Sequence, residues 1–346
     1  APWEGGYQSY GFTGRGEIVL TTTDGITTEL LAVDAGGTRR RLGSNLTSVK
    51  PYVAVDGGSV AVIGSTPSSP PAIWSVDLTA QPGSLARPMD LDRGLAAPWT
   101  IVSPTLQTIE TSAGPLRFLL HEPDDARPVP LLVRAHPGPT DDVPLRLDWT
   151  TQFFVSHGFA VAEVLYRGST GRGRAFRQSL HGHWGEYDVD DCAAVAEHAL
   201  AIGLARPGSV FISGVSAGGY TALQAACRPG PFSAATAISA IIDPAQWESS
   251  VPPFQRAHAA VLRGPAGAVR PEHVRCPVLV IHGSADTITS AQEAMQFAKK
   301  LATLDQGHSS LLLADGDHYL SGSAPREQAL RAELDFYQRV MRRPPE

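Results

Sequence analysis

A serine between two glycines, Gly214-Val215-Ser216-Ala217-Gly218, is the stretch of this 346-residue chain best suited to do chemistry. A serine hydroxyl is a weak nucleophile until it is exposed, held in place and set beside a base. Glycine on either side lets the backbone turn sharply with no Cβ in the way. The pattern is that of a nucleophile elbow, in which the serine sits between a strand and a helix. Val210, Phe211 and Ile212 supply an apolar strand before it, and Tyr220 to Ala226 reads as a helix after it. A helix starting there aims its N–H groups and dipole at the reacting carbon. Glycine is 34 of the 346 residues, so the motif alone says little. The strand and helix around it give it weight.

Such a serine needs a base and an acid, expected in the chain order Ser, Asp or Glu, His. Downstream lie His258, His273, His282, His308 and His318. The apolar run Val278 to Ile281 ends in His282-Gly283-Ser284-Ala285-Asp286, and Leu311 to Leu313 ends in Ala314-Asp315-Gly316-Asp317-His318. Asp286 and His318 therefore follow strand ends, where sites on such sheets lie. His318 is expected to take the proton from Ser216, and Asp286 to fix its tautomer and stabilise its charged form. His308 precedes its strand and falls at the wrong end. His282 reads as a structural ring holding the loop. Asp315 and Asp317 compete with Asp286 but stand too close to His318 in sequence.

The elements that must position these residues change character near residue 97. From about 98 to 346, apolar strands alternate with helices: Leu116–Leu120, Leu131–Ala135, Phe159–Leu165, Val189–Ile202 as a helix, the elbow, Ala235–Ile242, Val278–Ile281, Ala291–Leu304 as a helix, Leu311–Leu313 and a closing helix Pro325–Met341. That order implies a parallel sheet with helices on both faces. Residues 1–97 read as short strands at Glu17–Leu20, Glu29–Val33, Ser59–Ile63 and Ala72–Val76, separated by Gly turns. Val33-Asp34 and Val76-Asp77 repeat 43 residues apart, each followed by a Gly turn and an arginine. The period suits one four-stranded propeller blade. A small β-sandwich cap is the alternative.

Composition excludes several classes. The net charge is −6 with no block of like charge, which disfavours nucleic acid and anionic membrane as partners. No run of 18 apolar residues occurs, so nothing is expected to span a bilayer. Cys192, Cys227 and Cys276 read as free thiols and fit a reducing, cytoplasmic compartment. His181-Gly182-His183 lacks an obvious third ligand, so no metal and no cofactor are expected. The chain opens Ala1-Pro2-Trp3 without a basic-plus-apolar signal segment.

Taken together, these motifs resemble the prolyl oligopeptidase family of serine peptidases. Gly214 to Tyr220 is similar to its nucleophile segment. Tyr166-Arg-Gly-Ser-Thr-Gly-Arg-Gly-Arg-Ala-Phe176 and Trp184-Gly-Glu-Tyr-Asp-Val-Asp190 resemble signatures of its acylaminoacyl-peptidase-like branch, and His282-Gly283-x-x-Asp286 and Asp317-His318 its acid and base segments. The resemblance covers about 104 to 346. It implies an α/β-hydrolase domain preceded by a β-propeller, of which residues 1–97 would be the last two blades. The family's His-Gly-Gly-Pro oxyanion segment is here His136-Pro137-Gly138-Pro139. Pro137 has no N–H, so by position the oxyanion hole would be Gly138 N–H with Ala217 N–H. Where the branch carries an arginine two residues after the triad aspartate, this chain has Ile288. A peptidase that holds a free amino terminus needs that arginine less.

The expected function is hydrolysis of short peptides or aminoacyl amides by an aminopeptidase-type serine peptidase. The branch includes enzymes that hydrolyse the aminoacyl nucleoside puromycin. A carboxylesterase on the same triad, or a non-catalytic scaffold, is the alternative. Tyr220 and the Asp243–Trp247 segment, with Trp247, are expected to line the substrate pocket. Two isolated blades would leave Val60, Val62, Ile73 and Trp74 facing water. The 346 residues are therefore expected to be the C-terminal part of a longer polypeptide, with an N-terminal propeller fragment of the same precursor as partner.

Overall fold

A computed structural model describes residues 7–79, 85–89, 100–125, 127–304 and 306–343. The chain divides into two compact units, Ala1–Pro104 with Pro144–Gln152, and Thr105–Val143 with Phe153–Glu346. The boundary expected near residue 97 lies outside the described residues. The return of Pro144–Gln152 to the first unit was not legible in the sequence.

The first unit holds two four-stranded antiparallel sheets. One runs in the order β1 (Tyr10–Phe12), β2 (Ile18–Thr23), β3 (Thr28–Val33) and β4 (Arg39–Leu42). The other runs β5 (Ser48–Asp56), β6 (Ser59–Thr66), β7 (Ser69–Asp77) and β8 (Arg87–Pro88). The two Val-Asp pairs fall at the end of the third strand of each sheet. Each aspartate accepts an N–H from the turn that follows, Asp34 from Thr38 at 2.8 Å and Asp77 from Thr79 at 2.7 Å. The repeat thus marks equivalent strand exits. One expectation is corrected. Val60, Val62 and Trp74 are buried in an apolar cluster that includes Val19, Leu30 and Leu42 of the first sheet, and only Ile73, 54% exposed, faces out. The two sheets already supply cover for one another's apolar residues.

The second unit is built on one eight-stranded sheet in the order β16-β15-β14-β13-β11-β12-β10-β9. Its strands are β9 (Thr105–Thr111), β10 (Gly114–His121), β11 (Leu131–Ala135), β12 (Ala160–Leu165), β13 (Val210–Val215), β14 (Ala234–Ile238), β15 (Val278–Gly283) and β16 (Ser309–Leu313). The six strands from β12 through β11, β13, β14 and β15 to β16 pair in parallel, while β9 and β10 add an antiparallel edge. The six strands are the parallel sheet expected, and the antiparallel edge of β9 and β10 is an addition to it. Among the described residues of the whole chain the α-helices are α1 (Trp149–Ser156), α2 (Arg174–Gln178), α3 (Tyr187–Ala201), α4 (Ala217–Ala226), α5 (Pro244–Ser250), α6 (Pro253–Leu262), α7 (Ala291–Leu301) and α8 (Ser323–Met341). Near-continuous apolar runs in β11 to β15 suit strands covered on both faces, and Leu131, Val210, Ile212, Val278 and Val280 are fully buried. Among the described residues no helix is long and apolar enough to cross a membrane.

Candidate active site

The position of the candidate nucleophile follows from the elbow's geometry. β13 ends at Val215 and α4 begins at Ala217, so Ser216 is the single residue between them. Its φ is +56°, a left-handed value that costs a non-glycine residue on the order of 1 kcal/mol. Three backbone bonds hold it there. Ser216 N–H donates to Ile238 O at 2.9 Å, and Ser216 O accepts from Tyr220 N at 3.1 Å and Ile241 N at 3.3 Å. The flanking glycines are sterically required. A Cβ on Gly214 would lie 2.2 Å from Gly218 backbone, and one on Gly218 would lie 2.3 Å from Ala135 O.

Because β13 to β16 are parallel neighbours, the loops after them share one edge of the sheet. There, His318 Nδ1 donates to Asp286 Oδ2 at 2.8 Å. His318 is 4% exposed and the Asp286 side chain is fully enclosed. Asp286 Oδ1 accepts N–H bonds from Ile288 at 2.8 Å and Thr289 at 3.0 Å. Burial pushes this carboxyl's pKa up. Hydrogen bonds from His282 and His318, then from the two backbone N–H groups, more than offset that and hold it well below the usual carboxylate range. The competitors are placed elsewhere. Asp317 Oδ1 accepts Ser321 N at 2.8 Å within its own turn, and His308 Nδ1 accepts Val278 N at 3.1 Å, at the opposite end of β15. No hydrogen bond joins Ser216 Oγ to His318 among the described residues; catalytic bonds commonly tighten only with substrate.

Thr289 is a site residue that the motif reading did not single out. Its Oγ1 lies 2.8 Å from Asp286 Oδ2 and 3.0 Å from Ser239 O, tying the acid loop to the turn after β14. The available signal was the spacing: an aspartate whose side chain turns back on the second and third following N–H groups forms an Asx-type turn.

The oxyanion segment differs from expectation. Ala217 N–H donates to Pro137 O at 3.0 Å. In a trans peptide the C=O and N–H point in opposite directions, so Gly138 N–H, on the same peptide plane as Pro137 O, faces away from Ala217 N–H. The two expected donors do not converge in this structure. Around them, His136 stacks on Tyr166 at 3.9 Å, and its Nε2 lies 2.8 Å from Ser169 Oγ. Its Nδ1 lies 2.7 Å from Gly138 O, and Tyr166 OH donates to that carbonyl at 3.1 Å. Burial depresses the His136 pKa to about 4, with Asp141 acting in the opposite sense.

The pocket expectation is half corrected. Tyr220 is fully buried, donates to Gly267 O at 2.7 Å and lies 4.6 Å from Trp184, so it is a core residue and not a pocket wall. Trp247 lines a cleft of about 260 Å³ together with Asp286, Ile288, Thr289, Asp243 and Glu293.

Residues 145–343 match the prolyl oligopeptidase family. The chain belongs to that family. Among solved structures, a puromycin-hydrolyzing peptidase of Mycobacterium tuberculosis superposes with a TM-score of 0.89 at 26% identity, over 99% of this chain and 55% of that one. A puromycin hydrolase complexed with PGG superposes with a TM-score of 0.87 at 25% identity, over 98% and 54%. Among curated relatives, acylamino-acid-releasing enzyme 2 of Oryza sativa subsp. japonica is 24% identical over 83% of this chain and 43% of its own length. Dipeptidyl aminopeptidase BIII of Pseudoxanthomonas mexicana is 26% identical over 55% and 30%. The chain therefore spans less than half the length of these curated relatives and about half that of the solved ones.

Proposed function

We propose that this chain hydrolyses short peptides or aminoacyl amides through an acyl-enzyme on Ser216, as an aminopeptidase-type exopeptidase. The observation that carries the reading is the Asp286–His318 hydrogen bond, 2.8 Å long, on the sheet edge where the elbow serine stands. In this reading His318 Nε2 takes the proton as Ser216 Oγ attacks the carbonyl carbon, then returns it to the leaving amine; water repeats the sequence on the acyl-enzyme. Asp286 fixes the tautomer through Nδ1–H. Ala217 N–H and Gly138 N–H hold the oxyanion once the Pro137–Gly138 peptide rotates and turns its carbonyl away. Gly138, lacking a Cβ, permits that rotation.

The exopeptidase part draws on the names of the relatives, a dipeptidyl aminopeptidase and puromycin-hydrolysing enzymes among them, and on Ile288. In place of an arginine, Ile288 joins Trp247 in lining the cleft beside Asp286. Residues 98–346 would form the catalytic domain, and 1–97 about two propeller blades, a reading supported by two sheets of four antiparallel strands each. Further blades of the same precursor would be its partner. A reducing compartment such as the cytoplasm fits three free thiols.

The test joins two measurements. A fluorophosphonate should label the chain once, at Ser216, and Ser216→Ala should abolish both labelling and turnover. Labelling elsewhere, or a Ser216→Ala protein that keeps more than a few per cent of activity, would end the proposal. A panel of aminoacyl, N-acylated and dipeptidyl chromogenic amides should be cleaved fastest with a free amine. A preference for N-acylated amides would overturn the aminopeptidase part alone.

A further inference from the structure

Asp286 carries a second imidazole that the proposed mechanism does not use. His282, at the end of β15, is fully enclosed, and its Nε2 lies 3.1 Å from Asp286 Oδ2. That is the same oxygen that accepts His318 Nδ1 at 2.8 Å. The other His282 nitrogen, Nδ1, is buried with no hydrogen-bond partner among the described residues. A neutral imidazole has one N–H and one lone pair. Facing a carboxylate, Nε2 carries the hydrogen, and the lone pair is left at Nδ1. Oδ1 is fixed by the N–H groups of Ile288 and Thr289, and Oδ2 accepts Thr289 Oγ1 at 2.8 Å beside the two imidazoles, so Oδ2 is the oxygen at which His282 acts.

We propose that His282 is a positioning residue for the acid: its Nε2–H, with the Thr289 hydroxyl, holds Oδ2 in line with His318 and draws off part of that oxygen's basicity. The proposal rests on the Ser216–His318–Asp286 reading above. The charged groups around it are His318 across the carboxylate, and Glu293 and Asp243, which line the neighbouring cleft. Loss of the His282 donor leaves Oδ2 more basic and less well aimed. The first effect stabilises the protonated base and moves the acid limb of the rate profile to higher pH. The second lowers the rate of attack without weakening substrate binding.

The experiment measures the second-order rate of fluorophosphonate labelling at Ser216 from pH 5 to 9, with kcat and KM on the amide that the wild-type chain cleaves fastest. The proteins are the full chain and its His282→Leu, His282→Gln and Asp286→Asn variants. His282→Leu should label about 10- to 100-fold more slowly, by analogy with the loss of a hydrogen-bond partner that orients a ligand in a metal site. Its acid limb should move up by about half a pH unit, and kcat should fall while KM stays. His282→Gln, whose amide N–H can reach Oδ2, should recover most of the loss. Equal losses in Leu and Gln with an unshifted limb would mark a merely structural ring and overturn the proposal. So would a His282→Leu protein that labels like wild type while Asp286→Asn fails. Wild-type labelling of Asp286→Asn would instead refute the triad beneath it. If the Leu variant does not fold, His282→Asn, too short to reach Oδ2, takes its place.

Discussion

The two sides of the elbow are organised to different degrees. On the acid–base side, Asp286 is met by the N–H groups of Ile288 and Thr289, by His282 and by His318, all between 2.8 and 3.1 Å. That carboxylate needs no rearrangement to serve His318. On the oxyanion side, the Ala217 N–H points at a protein carbonyl, Pro137 O, and not at open space. The lesson is that side chains held by several partners arrive preorganised, whereas a pair of backbone donors depends on the orientation of one peptide plane. Preorganised donors are where most of the rate advantage of such sites resides, so in the proposed mechanism the second side is the one with a step to complete.

The largest expected effect tests the organised side. Asp286→Asn keeps the shape of the carboxylate but donates where it should accept, and it should lower kcat by about 10⁴. Asp317→Asn should stay near wild type, because Asp317 serves its own turn. If steady-state kinetics showed the reverse ranking, the acid would be Asp317 and the organised side would be misassigned.

The next effect tests the other side. Gly138→Ala places a Cβ 3.0 Å from Asp141 Cβ and removes the freedom that peptide rotation needs. Labelling and kcat should fall by about 10²-fold, at the low end of the loss of one oxyanion donor. The acid limb of the profile should not move, since Asp286 and His318 are untouched. A crystal structure of the phosphonylated wild-type protein supplies the geometric check. Ala217 N–H should have left Pro137 O for the phosphonyl oxygen. A Pro137 carbonyl still on Ala217 N–H in that adduct would sink the rotation.

This contrast also explains what the sequence could and could not reveal. The place of Ser216 at a strand–helix turn and the meeting of Asp286 with His318 were legible because each of the three follows an apolar strand at a motif with few alternatives. The sheet then needs only the parallel order of β13 to β16 to bring their loops to one edge. The Pro137 carbonyl was not legible, because residue types do not encode which way a peptide plane faces. Tyr220 misled for a different reason. An aromatic after an elbow suits a pocket wall or a core equally, and its hydroxyl bond to Gly267 O is a contact 47 residues away in sequence. Strands β4 and β5 went unread because Arg39–Leu42 is three arginines and a leucine, and Pro51 interrupts Ser48–Asp56. Pairing within each sheet, and not local propensity, makes them strands.

The smallest effects read the packing beneath the two sides as stability. His136 supports the oxyanion segment, and burial lowers its pKa to about 4. Asp188 sits under the elbow helix, with Thr221 Oγ1 donating to its Oδ2 and Gly185 N to its Oδ1; burial raises its pKa to about 6. The linkage signs are opposite. Between about pH 6.5 and 4 the unfolded chain protonates His136 before the folded one does, so its contribution to stability is lost as pH falls. Between about pH 6 and 4 the folded chain keeps the Asp188 proton that the unfolded chain has released, so its contribution is lost as pH rises. Asp191 and Glu333, both raised by burial, act in the same sense as Asp188. Taking differences between variant and wild type isolates each group. His136→Phe, which keeps the stack on Tyr166 but cannot be protonated, should narrow its stability deficit as pH falls from 6.5 to 4. Asp188→Asn should do the opposite, its deficit widening as pH falls from 6 to 4. Each change is on the order of 3 kcal/mol at most. Urea denaturation at half-unit pH steps reads both curves, and parallel slopes for the two variants would show that these groups are not held in the protonation states their burial dictates.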